Sequence, residues 1–93
     1  MKTDFEIATA VIEAVEKSFG VFDLTAHTRR KRIVKSRHLA CYLIRELTDL
    51  SYPDIADLVG YDDHTSAIFA VREIPKDGKW FQFCERLTAE AMA

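Results

Sequence analysis

Ninety-three residues make one small domain, well below the size at which chains usually divide. Hydrophobic residues at 48% and charged residues at 30% exclude a disordered chain, and three Gly with two Pro leave little material for a turn-rich all-β fold. The formal net charge of −2 is, taken whole, a poor match for a nucleic-acid partner.

Further classes fall away on pattern. No apolar run approaches the roughly 18–20 residues a membrane span needs, and the opening Met-Lys-Thr-Asp-Phe-Glu carries no signal-peptide core. No glycine-rich phosphate-cradling motif occurs, so nucleotide hydrolysis is not expected. Cys41 and Cys84 occupy apolar helical positions and read as buried, reduced thiols; a cross-link between them stays open, but two cysteines are not a disulfide framework. His27, His38 and His64 have no partners at ligand spacing, so no metal site and no cofactor are expected.

Along the chain, Phe5, Ala8, Val11, Ile12, Val15 and Phe19 recur at helical spacing, with Thr3 or Asp4 as N-cap and Gly20 as stop. Phe22-Asp23-Leu24-Thr25 reads as a connector. A second helix is expected after a basic block, with Ile33, Ala40, Leu43, Ile44 and Leu47 as its buried stripe. Ser51 caps a short third helix, Tyr52 to about Val59, with Pro53 in the first turn and Gly60 at its end. Asp62 or Asp63 caps a fourth, whose apolar side is Ala67, Ile68, Val71 and Ile74 and which Pro75 halts. Lys76-Asp77-Gly78 reads as a turn. Trp80, Phe83, Cys84 and Leu87 then mark a closing helix. The prediction is one all-α domain over 1–93, a compact bundle of about five helices, with a helix-turn-helix near 51–74.

The charge is strongly segregated. Residues 25–47 hold seven bases (Arg29, Arg30, Lys31, Arg32, Lys35, Arg37, Arg45) against Glu46 alone, a surplus of +6. The rest holds six bases and fourteen acids, a balance of −8. Local field steers binding, so the basic block is a candidate phosphate-facing surface, against the plainer reading of a solvated helix entrance. In a helix-turn-helix the second helix enters the major groove N-terminus first, which points to Asp63-His64-Thr65-Ser66.

Three pieces now coincide: the basic lead-in Arg29–Arg37, the helix His38–Thr48, and Ser51-Tyr52-Pro53-Asp54-Ile55-Ala56 followed by Gly60 and Asp63-His64-Thr65-Ser66. Together they resemble the C-terminal DNA-binding domain of DnaA, the bacterial chromosomal replication initiator, which implies a Trp-repressor-like helical fold. The resemblance implies double-stranded DNA as partner, with no membrane and no small-molecule substrate, in the bacterial cytoplasm on the nucleoid. It implies base contacts from Arg29 in the minor groove and from Asp63, His64 and Thr65 in the major groove. Backbone contacts are implied for Lys31, Lys35, Arg37, Arg45, Tyr52, Pro53 and Ser66. The chemistry suits these roles: a carboxylate accepts from cytosine, imidazole bonds a base edge, and a threonine methyl packs on thymine.

Departures from the family pattern are Asp62 and Glu73 where bases are usual, Ala56 for Gly, Phe69 for His, and Ser66 for Thr. They predict weakened or redirected DNA binding. The initiator's ATPase part has no counterpart in these 93 residues, and the initial Met1 with the whole first helix favours a free-standing module that acts by occupancy. A second reading is a protein-interaction module that binds an initiator or another replication protein through its acidic surface. A catalytic triad of Asp63, His64 and Ser66 is rejected, because near-consecutive helical residues diverge.

Overall fold

The computed structural model describes residues 2–74 and 78–93, and all regular structure among them is helical. The helices are α1 (Asp4–Phe19), α2 (Lys31–Leu47), α3 (Tyr52–Val59), α4 (His64–Glu73) and α5 (Gly78–Met92). Pro75 and most of the expected Lys76-Asp77-Gly78 turn lie outside the described residues; Gly78 opens α5.

Local chemistry sets the helix ends. Thr3 caps α1 in a capping box: the Glu6 N–H donates to Thr3 Oγ1 at 3.2 Å, and Glu6 Oε1 accepts from the Thr3 N–H at 3.3 Å. Gly20 closes α1 in the left-handed conformation. Ser51 Oγ accepts from the Asp54 N–H at 3.2 Å to start α3, with Pro53 in the first turn. Gly60 ends α3 at φ 88°, where a Cβ would also lie 2.8 Å from the Thr25 carbonyl oxygen. Backbone conformation and close approach therefore both demand glycine there.

α2 packs on α1, α3 and α4, while α5 packs on α1. The core gathers Val11 and Val15 of α1, Leu39 and Ile44 of α2, Ile55 of α3 and Leu87 of α5, all essentially excluded from water, together with Leu24 of the connector. Each such side chain contributes roughly 1.5–3 kcal/mol by burial. An aromatic seam joins α1 to α5: Phe19 meets Phe83 edge-on at 5.9 Å, and Phe83 meets Trp80 at the same distance.

Side-chain hydrogen bonds tie the connectors down. Glu16 Oε2 accepts from the Leu24 N–H at 3.0 Å, and Asp4 Oδ2 accepts from the Asp49 N–H at 3.1 Å. Asp23 Oδ1 accepts from both the backbone N–H and the hydroxyl of Thr25, which holds its carboxyl below the ordinary value. Cys41 is buried and Cys84 half-buried, and both are free thiols. Burial pushes the Cys41 thiol up to about 12.

The structure corrects the sequence reading in three places. α2 begins at Lys31, inside the basic block, so Lys31, Arg32, Lys35 and Arg37 are helical. In α1, Phe5 is 55% exposed and Ile7 takes its place in the core. The two are two residues apart and face about 200° from each other, and only one side of the helix meets the bundle. In α4, Ala67 and Ala70 face the core while Ile68 and Val71 are half-buried. Small residues there let α4 approach α2 closely.

Candidate nucleic-acid interface

α2 starts with Lys31 and Arg32, no acid in its first turn, and no side-chain cap from Arg30. Cations at a helix N-terminus oppose the helix dipole, so this start is locally unfavourable and leaves a concentrated positive field. Arg29, Arg30, Lys31, Arg32 and Lys35 are all exposed. Arg29, Lys31 and Lys35 border a groove of about 540 Å³ that also takes in His38 of α2 and Glu73 of α4.

α4 begins at the glycine turn. Asp63 is its N-cap, with Oδ1 accepting the Ser66 N–H at 3.1 Å. That bond orients the carboxylate along the start of the helix. His64 and Thr65 follow, both exposed, and Ser66 is half-buried. Asp63, Thr65 and Ser66 line a second groove, of about 370 Å³, with His38, Tyr61 and Phe69. His38 borders both grooves, so the groove at the basic start of α2 and the one at the polar start of α4 are neighbours across a single side chain.

His38 is half-buried and stacks edge-on against Phe69 at 6.2 Å. Desolvation lowers its pKa; Glu73 acts in the opposite sense, and Arg37 reinforces the lowering. The imidazole is thus biased toward its neutral form at the junction of the two grooves.

Arg45 and Tyr52, both expected at the DNA backbone, are brought together. The Arg45 guanidinium lies 4.6 Å from the Tyr52 ring centre, and Nη1 donates to the Leu50 carbonyl at 3.3 Å. This locks the α2–α3 connector while the Arg45 side chain remains exposed. Pro53, beside Tyr52, is exposed as well.

Arg37 departs from the expected open phosphate contact. It is only 7% exposed. Nη2 donates to the Thr28 carbonyl at 2.9 Å, and the guanidinium lies 5.6 Å from the Tyr61 ring centre. Nε is buried with no hydrogen-bond partner. The α2 helix turns this residue inward, where it clasps the segment before Arg29 to the turn after α3. Tyr61, which the sequence reading passed over, is the other half of that clasp, and burial pushes its hydroxyl up to about 12. An aromatic directly after the turn glycine was the available signal.

A short helix opened by Ser-x-Pro, a glycine turn that admits no side chain, and a second helix that begins on exposed polar residues define a helix-turn-helix of the DNA-binding class. The profile of the bacterial dnaA protein helix-turn-helix matches residues 8–74. The chain belongs to that family.

The chromosomal replication initiator protein DnaA of Thermus thermophilus is 41% identical over 66 residues, which cover 69% of this chain and 15% of that protein. The protein of the same name from Corynebacterium aurimucosum is 42% identical over 72 residues, covering 75% of this chain and 13% of its own length. That of Corynebacterium jeikeium is 41% identical over 66 residues, 11% of its length. The chain therefore corresponds to a small part of these relatives. Among the described residues, no helix is long and apolar enough to cross a membrane.

Proposed function

We propose that the chain binds double-stranded DNA sequence-specifically at DnaA-box-like sites. It acts by occupancy, in replication-initiation control or transcription regulation, without nucleotide hydrolysis, in the bacterial cytoplasm on the nucleoid. The observation that carries this reading is that His38 borders both the groove of the α2 cations and the groove at the polar start of α4.

Arg29 enters the minor groove, where a narrow A·T-rich stretch attracts guanidinium. Asp63, His64 and Thr65 address base edges in the major groove. Lys31, Lys35, Arg45, Tyr52, Pro53 and Ser66 hold the sugar-phosphate backbone and fix the register. Arg37 is a positioning residue that sets the arm.

Anisotropy titrations with a box-containing duplex and a scrambled one, across a salt series, test the reading. Tighter binding of the box at every salt concentration is expected; equal affinities would overturn specific readout. His64→Ala should cost about 1–3 kcal/mol on the preferred box and little on random DNA. Equal weakening on both duplexes would remove His64 from the reading set.

A second reading, a module docking on an initiator or another replication protein, is favoured by one feature. Asp49, Asp57, Asp62 and Asp63 are exposed in a stretch with no Lys or Arg. Failure to bind any duplex at low salt, with stable capture of a purified initiator, would select it.

A further inference from the structure

The family match ends at residue 74, yet the helix beyond it reaches the basic groove. Trp80, in the first turn of α5, lines the same groove as Arg29, Lys31 and Lys35. Three cations around an aromatic wall suit a ligand that alternates anionic and apolar parts. The sugar-phosphate strand of DNA is such a ligand, with deoxyribose to pack on the indole and phosphates to meet the cations. Lys79, next to Trp80 in the first turn of α5, is an exposed cation.

Trp80 packs on Phe83, which meets Phe19 of α1, so the indole is anchored to the aromatic seam between α1 and α5. His38 of this groove also borders the groove at the start of α4.

We propose that the first turn of α5 is part of the DNA-binding surface: Trp80 packs on the deoxyribose backbone next to the Arg29 arm, and Lys79 holds a flanking phosphate. This rests on the DNA-binding reading above and extends it beyond the helix-turn-helix.

Trp80 is the single tryptophan of the chain, so its emission reports on this site alone. Box duplex is titrated into the 93-residue protein while duplex anisotropy and tryptophan emission are followed together. The expected result is a change in emission with the same midpoint as the anisotropy, and protection of the indole from acrylamide. Lys79→Ala, an exposed change, should lower the salt slope of binding by about 0.9 on box and scrambled duplexes alike. Trp80→Phe, which keeps an aromatic ring against Phe83, should weaken binding about threefold with an unchanged slope, the size expected when part of a stacking surface is lost. Saturating anisotropy with unaltered emission, or an unchanged slope for Lys79→Ala, would overturn the proposal. Flat anisotropy with every duplex at low salt would remove the DNA-binding reading itself, and this one with it.

Discussion

Arg37 offers the sharpest test, because a buried clasp and an open phosphate ligand predict opposite results. Arg37→Met keeps the aliphatic stem and removes the charge and the donors. Lost with them are the charge-assisted bond to the Thr28 carbonyl, roughly 1.5–3 kcal/mol, and the contact over Tyr61, about 0.5–2 kcal/mol. Against this, the unpartnered Nε–H disappears, and an unsatisfied buried donor costs about 1–3 kcal/mol. The freed Thr28 carbonyl is only half-buried and can take water. The net loss is then about 1–2 kcal/mol. For a domain of this size that lowers Tm by roughly 5–15 °C.

DNA binding should weaken as well, since Thr28 and Arg29 must be ordered anew on the duplex. The slope of log K against log salt should stay within about 0.3 of the parent value, because no phosphate partner is lost. Thermal unfolding by circular dichroism and anisotropy across a salt series read the two quantities. A slope reduced by about 0.9 with an unchanged Tm would refute the clasp and restore Arg37 to the DNA backbone.

Three further outcomes follow from the same geometry. Gly60→Ala should cost more than 2 kcal/mol in urea unfolding, since strain in the left-handed region adds to the collision with Thr25; Gly20→Ala, with open space around it, should cost only about 1–2 kcal/mol. Equal losses would mean that the Thr25 contact is relieved by small shifts. Glu73→Lys should tighten binding to every duplex and raise the salt slope by about 0.9, as Glu73 borders the groove of Arg29, Lys31 and Lys35; an unaltered slope would place that groove off the DNA. His38 has a folded-state pKa below the ordinary imidazole value of 6.5, so the unfolded chain takes up the proton first and stability falls as pH drops below 6.5. The loss of Tm between pH 7 and 5.5 should be smaller in His38→Gln; identical pH profiles would refute it.

The caps made much of this fold readable. Ser51, Gly20 and Gly60 act where side-chain chemistry alone puts them, because each satisfies groups within a few residues, and the structure selects Thr3 over Asp4 and Asp63 over Asp62 as the other caps. What could not be read is what depends on the neighbouring helix. Phe5 and Ile7 are equally apolar, and only the position of the bundle decides which one is covered. The start of α2 was hidden by its own charge, since a basic run without a cap looks like an extended arm. The same holds for Arg37: composition marks it as a cation for phosphate, and the inward turn of α2 gives it to Thr28 and Tyr61. The placement of Trp80 beside the arm depends on a contact between segments about fifty residues apart, which no local pattern encodes.

The small negative total says little about affinity, because screening confines each charge to a radius of about 8 Å at physiological ionic strength. An acid weakens the interface only from within it. Under the proposed function Glu73 does so, since it lines the groove of the arm cations, and the other acids count only as far as they approach a phosphate. Phosphate attraction acts on every sequence equally, so its partial loss lowers binding to box and non-box DNA by the same factor. Under the proposed function, discrimination between them falls to Asp63, His64 and Thr65 at the start of α4, all three exposed. Under that function the chain is a weak but selective binder, tuned by Glu73 at the far end of α4 and not at the residues that open that helix.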